Sequence, residues 1–91
     1  MTRYRKKPVV IEASDPIGPD NVDEIAAWCG GRAHREAKPS DPTDVAVWLE
    51  IPTLEGTMRG DRRDRVIKGV QGEFYPCKPD IFAATYDKET A

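Results

Sequence analysis

Asp44–Arg59 reads DVAVWLEIPTLEGTMR. Val45, Val47, Leu49 and Ile51 alternate with Ala46, Trp48 and Glu50, the period of two that sends successive side chains to opposite sides of a strand. β-Branched and aromatic residues dominate the run, as they do on pleated surfaces. Pro52 ends the strand, Glu55-Gly56 makes a turn, and Thr57–Arg59 returns as the second arm of a hairpin. With a helix on the Val/Leu/Ile face, the opposite face carries Trp48 beside Ala46 and Glu50. There Trp48 serves either as a half-buried packing residue or as the wall of an interface or pocket.

Downstream, Asp61-Arg62-Arg63-Asp64 reads as a second turn and Arg65–Val70 as a third strand. Ile67 lies on one face of that strand, and Val66, Lys68 and Val70 lie on the other. Gln71-Gly72 suits a two-residue hairpin turn, and Gly72–Cys77 forms a fourth strand. In its pleat Glu73, Tyr75 and Cys77 share a face, with Phe74 on the other. Lys78–Asp87 closes the chain as one short helix, Pro79 at its first position and Asp80 in its positive first turn. Phe74, Ile81 and Phe82 together would anchor that helix.

Upstream, Tyr4–Ala13 reads as a strand with Pro8 suited to an edge, Val9, Ile11 and Ala13 pointing inward. Ser14–Asp20, with two prolines and a glycine, is a loop. Asn21 caps a helix with Glu24 three residues on, and Asp20 with Asp23 is the competing register. Val22, Ile25, Ala26 and Cys29 recur at helical spacing and form its buried face, and Gly30 and Gly31 end it. Ala33–Glu36 is a weak strand that runs on into an exposed loop. Strands clustered rather than alternating with helices predict an α+β domain. The expected architecture is an antiparallel sheet of four to five strands, one helix packed on it and a short C-terminal helical turn.

The composition narrows the function classes. With 91 residues the chain makes a single domain, and with 33% charged residues against 38% hydrophobic it is polar yet able to form a core. A formal net charge of -2 gives no global reason to expect nucleic acid or an anionic membrane. The absence of a bilayer-length apolar run and of a signal-peptide core predicts residence in the cytoplasm. Cys29, Cys77 and the single histidine, His34, are scattered, which argues against a zinc site and for two reduced thiols. His34 stands in a polar stretch with no nucleophile nearby and reads as a surface histidine. The carboxylate pairs Glu50/Glu55 and Glu73/Asp80 are of the kind that arises by chance in a chain rich in acids. No nucleophile elbow, phosphate loop, zinc helix or dinucleotide fingerprint occurs. The expectation is therefore a protein that is not an enzyme and carries neither cofactor nor metal.

Three clusters remain as binding candidates. One is Arg3, Arg5, Lys6 and Lys7; another is Arg59, Arg62, Arg63 and Arg65 against Asp61 and Asp64. Guanidinium forks on one side of a sheet would hold phosphates. The plainer alternative is a charged edge strand kept from aggregating, and a turn whose arginines pair with its own aspartates. The third cluster is Tyr75 with Lys68 across the hairpin, and Lys78 just beyond.

The segments YRKKPVVIEA, IPTLEGTMR and IKGVQGEFYPCKPDIFAATY together resemble a family of small proteins of unknown function encoded by tailed bacteriophages and prophages. The likeness spans Tyr4–Ala13, the NVDEIAAWCGG helix and Ile51–Tyr86. Relatives usually read PGDW where this chain has Arg62-Arg63-Asp64-Arg65, and Gln-Trp where it has Ser14-Asp15. Any pocket shaped by that turn and that aromatic is altered here. The resemblance brings no established activity, and by analogy with other small phage genes it implies an accessory protein of the host-cell cytoplasm that binds a host or phage protein. On the residues' own reading such binding, with a homodimer among its forms, would use Trp48 or a free sheet edge. The alternative is capture of a phosphate-bearing ligand, either a nucleotide sequestered in counter-defence or a nucleic acid, through Arg5, Lys6, Lys7 and the arginines at 59–65.

Overall fold

The alternation around Trp48 lies within the longest strand of the computed structural model, which describes residues 1–5 and 7–88. Among these residues the elements run β1 (Glu12–Ala13), α1 (Val22–Cys29), β2 (Arg32–Lys38), β3 (Asp41–Thr53), β4 (Gly56–Asp61), β5 (Arg65–Lys68), β6 (Phe74–Cys77) and α2 (Pro79–Thr85). They form two antiparallel three-stranded sheets, β2-β3-β4 and β1-β5-β6. The fold is α+β as expected, but the single sheet of four to five strands is corrected to six strands in two sheets.

The corner between β4 and β5 is what divides the sheets. Asp64 N donates to Asp61 O, Arg63 N donates to Ile17 O, and Ile17 N donates to Asp64 O. These bonds tie the corner to the loop before α1 and turn β5 away from β4. β5 then pairs with β1, Glu12 opposite Lys68 and Ala13 opposite Ile67. Ser14 extends the junction: its N–H donates to Val66 O, its Oγ accepts from Val66 N, and its carbonyl accepts from Arg65 Nη1 at 3.0 Å.

The core lies between the sheets and under α1. Val47, Leu49 and Ile51 of β3 meet Val22, Ile25, Ala26 and Cys29 of α1, and Ile17 and Val66 complete the cluster. The helical face is the one that the spacing predicts. Val66 and Ile67 are both fully buried, so β5 is covered on both faces. Gly60 allows close approach here, since a Cβ at that position would stand 3.0 Å from Ile51 Cδ1 and 3.1 Å from Ile17 Cδ1.

Several local expectations are corrected. The first strand pairs only at Glu12–Ala13. β5 ends at Lys68, so the described residues before Glu12 have no partner strand, and Val9 and Val10 are 46% and 74% exposed. β3 runs through Pro52 to Thr53. Pairing with β2 stops at Arg32–Glu50, so the N–H that Pro52 lacks has no ladder partner to lose. The hairpin turn is Leu54-Glu55 rather than Glu55-Gly56, with Thr53 Oγ1 donating to Gly56 O and accepting from Glu55 N. The turn expected at Gln71-Gly72 likewise centres one residue earlier, on Val70-Gln71, because Gly72 N donates to Gly69 O. Asn21 does not form a capping box. Its Oδ1 accepts from Gly18 N and its Nδ2 donates to Pro16 O, which knots the loop instead. Phe74 packs edge-on against Trp28 of α1 at 5.0 Å rather than anchoring α2; Phe82 lies under Arg65, and Ile81 is exposed.

One residue of the corner is strained. Arg63 has φ 77°, in the left-handed region that suits glycine. Arg63→Gly is expected to raise stability by about 0.5–1 kcal/mol in urea titration, relief of strain outweighing the extra chain entropy. No gain, or a loss, would mean that the Arg63 side chain is worth more than its backbone strain.

Candidate functional site

The outer face of the β2-β3-β4 sheet is built by the same alternation that builds the core. Because Val47, Leu49 and Ile51 point to α1, Trp48 and Glu50 point away from it. Register then supplies their neighbours: His34 and Asp61 flank Trp48, and Arg32 and Arg59 flank Glu50. The helix α1 packs on the opposite side, against Val47, Leu49 and Ile51.

Trp48 is clamped. His34 stacks on one face of the indole with ring centroids 5.2 Å apart and planes 7° apart. The Arg59 guanidinium lies 4.8 Å from the indole centroid, and since β2 and β4 flank β3 on opposite sides, it covers the other face. Arg59 is itself held, its Nε donating to Asp61 Oδ1 at 2.7 Å. That bond keeps the Asp61 carboxyl below the usual carboxylate range, with a smaller contribution from Lys78. His34 Nε2 stands 3.2 Å from Glu50 Oε1 without a hydrogen bond between them. The cluster His34–Trp48–Arg59 thus presents the edge of an indole held between two nitrogenous groups, with Arg32, Glu36 and Glu50 exposed around it.

The other predicted binding residues are dispersed. Arg62 lies 3.8 Å from Asp44, Arg63 occupies the strained corner, and Arg65 bonds Ser14 O and covers the Phe82 ring at 4.7 Å. Arg5 and Lys7 are exposed in the N-terminal segment, and Lys6 lies outside the described residues. The Tyr75–Lys68 constellation is corrected by one residue of register: Lys68 faces Phe74, and Tyr75 faces Ile67. Lys78 Nζ donates to Asp64 Oδ2 at 2.9 Å and Asp61 Oδ2 at 3.3 Å, and the Asp64 bond leads in raising its pKa.

Tyr75, Lys78 and Arg59 do share the border of a cleft of about 490 Å³ between β4, β6 and α2, walled by Met58, Ile67 and Ile81. Burial, reinforced by a hydrogen bond with Tyr86, pushes the Tyr75 phenol up to about 12. Cys77 borders the same cleft and has its thiol pushed up, first by burial and then by Asp64 and Asp80, so it is a poor nucleophile. Cys29 is raised chiefly by burial within the core.

Two participants escaped the sequence. His34 reads as an isolated surface histidine until register sets it opposite Trp48. Asp64 reads as a turn residue, yet it is 3% exposed and its Oδ2 accepts from both Asp61 N and Lys78 Nζ. No helix of the described residues is long and apolar enough to cross a membrane. No known protein family, curated protein or solved structure matches the chain.

Proposed function

We propose that this chain is a non-enzymatic binding module, a phage accessory protein that acts in the host-cell cytoplasm by engaging a host or phage protein through the Trp48 face. The observation that carries the reading is the clamped indole at the centre of the sheet face opposite α1. A tryptophan held rigid and backed by arginine, with charged residues around it, has the anatomy of an interface centre. Both signs of charge ring it, which suits a protein surface better than a polyanion. Phosphate capture is the weaker reading, because Arg59, Arg62 and Lys78 each already face a carboxylate. Base stacking is weaker still, since both faces of Trp48 are occupied.

The test is affinity capture from host and infected-cell lysates with the wild-type chain and with Trp48→Ala, followed by calorimetry against each purified captured protein. Loss of a central anchor of this kind is expected to weaken binding by roughly 30-fold or more. A partner that binds Trp48→Ala as tightly as wild type would sink the proposal. A nucleotide that raises the melting temperature of the wild-type chain would replace it with the phosphate reading.

A further inference from the structure

We infer that the free edge of β2 joins the same edge of a second copy of this chain, the two strands running antiparallel about a two-fold axis at His34. The backbone provides the first argument. Asp61 N donates to Asp64 Oδ2 and Asp61 O accepts from Asp64 N, so both backbone groups of Asp61 face away from β3. The Trp48–Asp61 pair is therefore the wide, non-hydrogen-bonded kind, and the backbone groups of Trp48 face His34 instead. Alternation along β2 then turns the N–H and C=O of Ala33, Arg35 and Ala37 to the far side. Among the described residues no strand lies there, and no backbone bond is made by these groups outside their own sheet. An edge of this length, regular from Arg32 to Ala37, is a template for strand addition.

Charge selects the occupant and the register. Centred on His34, the antiparallel pairing sets Ala33 opposite Arg35 in hydrogen-bonded pairs, and Arg32 of each copy opposite Glu36 of the other. The two-fold axis makes that ion pair twice. Centred on Arg35, it would oppose Arg35 to itself and Arg32 to Lys38; centred on Glu36, it would oppose Glu36 to itself. Centred on Ala33, it would set Arg32 against His34. Arg32 and Glu36 are both exposed, and neither has an ion-pair partner among the described residues. They lie on the Trp48 side of the sheet, so the joined sheets would carry both Trp48 clusters on one continuous face. The inference concerns the β2 edge and holds whether or not the Trp48 face takes a partner.

Sedimentation equilibrium of the full chain over a wide concentration range tests it. The wild-type chain is expected to show a monomer–dimer equilibrium. Arg32→Glu puts like charges opposite each other at both ends of the junction and should raise the dissociation constant by about tenfold. The swap Arg32→Glu with Glu36→Arg should restore it. Circular dichroism at concentrations where every variant is monomeric checks that each keeps its strands. A wild-type chain monomeric throughout, a dimer indifferent to Arg32→Glu, or a swap that fails to rescue would each overturn the inference.

Discussion

Replacing Asp64 with alanine is expected to lower the unfolding free energy by about 3 kcal/mol in urea titration, among the largest losses for any polar side chain here. Asp64 is 3% exposed, and its carboxylate is the acceptor that closes the corner. Oδ2 takes the N–H of Asp61 and the ammonium of Lys78, each at 2.9 Å. Alanine leaves the Asp61 N–H without its acceptor and gives Lys78 only the half-exposed Asp61. A part-buried orphan donor costs about 1–3 kcal/mol, and loosening the corner also frees the Ile17 junction that holds β5 on β1. In a domain this small the loss should lower the melting temperature by roughly 4–8 °C per kcal/mol. Asp64→Asn keeps an oxygen for the Asp61 N–H and should lose about 1 kcal/mol. If the two variants lose the same amount, the charge of the carboxylate and not its hydrogen bond holds the corner.

Gly31→Ala is expected to cost about 3 kcal/mol, and Gly30→Ala about 1 kcal/mol, although the two glycines are neighbours. Gly30 closes α1 at φ 69° with open space around it, so an added methyl meets only the backbone penalty of the left-handed region. At Gly31 an added Cβ would stand 2.3 Å from the carbonyl oxygen of Glu50 and 3.1 Å from Cys29 Sγ. The oxygen belongs to the backbone of β3, which is hydrogen-bonded into its sheet, so the clash has no flexible end to absorb it. α1 must lift from β3, and the Cys29 side of the core opens with it. Equal losses at the two positions, measured by the same titration, would refute this account.

The pattern of what was legible follows the range of the forces. The helical face Val22-Ile25-Ala26-Cys29 and the inner face of β3 came through because burial of an apolar side chain acts position by position along a known period. Trp48 opposite the core face came through for the same reason. Turn centres slipped by one residue twice, at Leu54-Glu55 and Val70-Gln71. In each case the glycine stands just after the turn, Gly56 with φ 109° and Gly72 with φ 81°, where the chain re-enters its strand. The slip at Gly72 alone separated Tyr75 from Lys68, since one residue of register changes every cross-strand neighbour.

Local periodicity thus specified which faces are buried, that the chain is α+β, and that Trp48 looks outward. Strand partnership needed three dimensions. β5 leaves the meander to pair with Glu12–Ala13 because Ile17, Arg63, Asp64 and Ser14 exchange backbone and side-chain hydrogen bonds across roughly half the chain. Short-range periodicity carries no record of such bonds. The candidate site has the same origin: His34, Trp48 and Arg59 come from three strands, and only the register that packing imposes sets His34 opposite Trp48 and Arg59 diagonally beside it on one face.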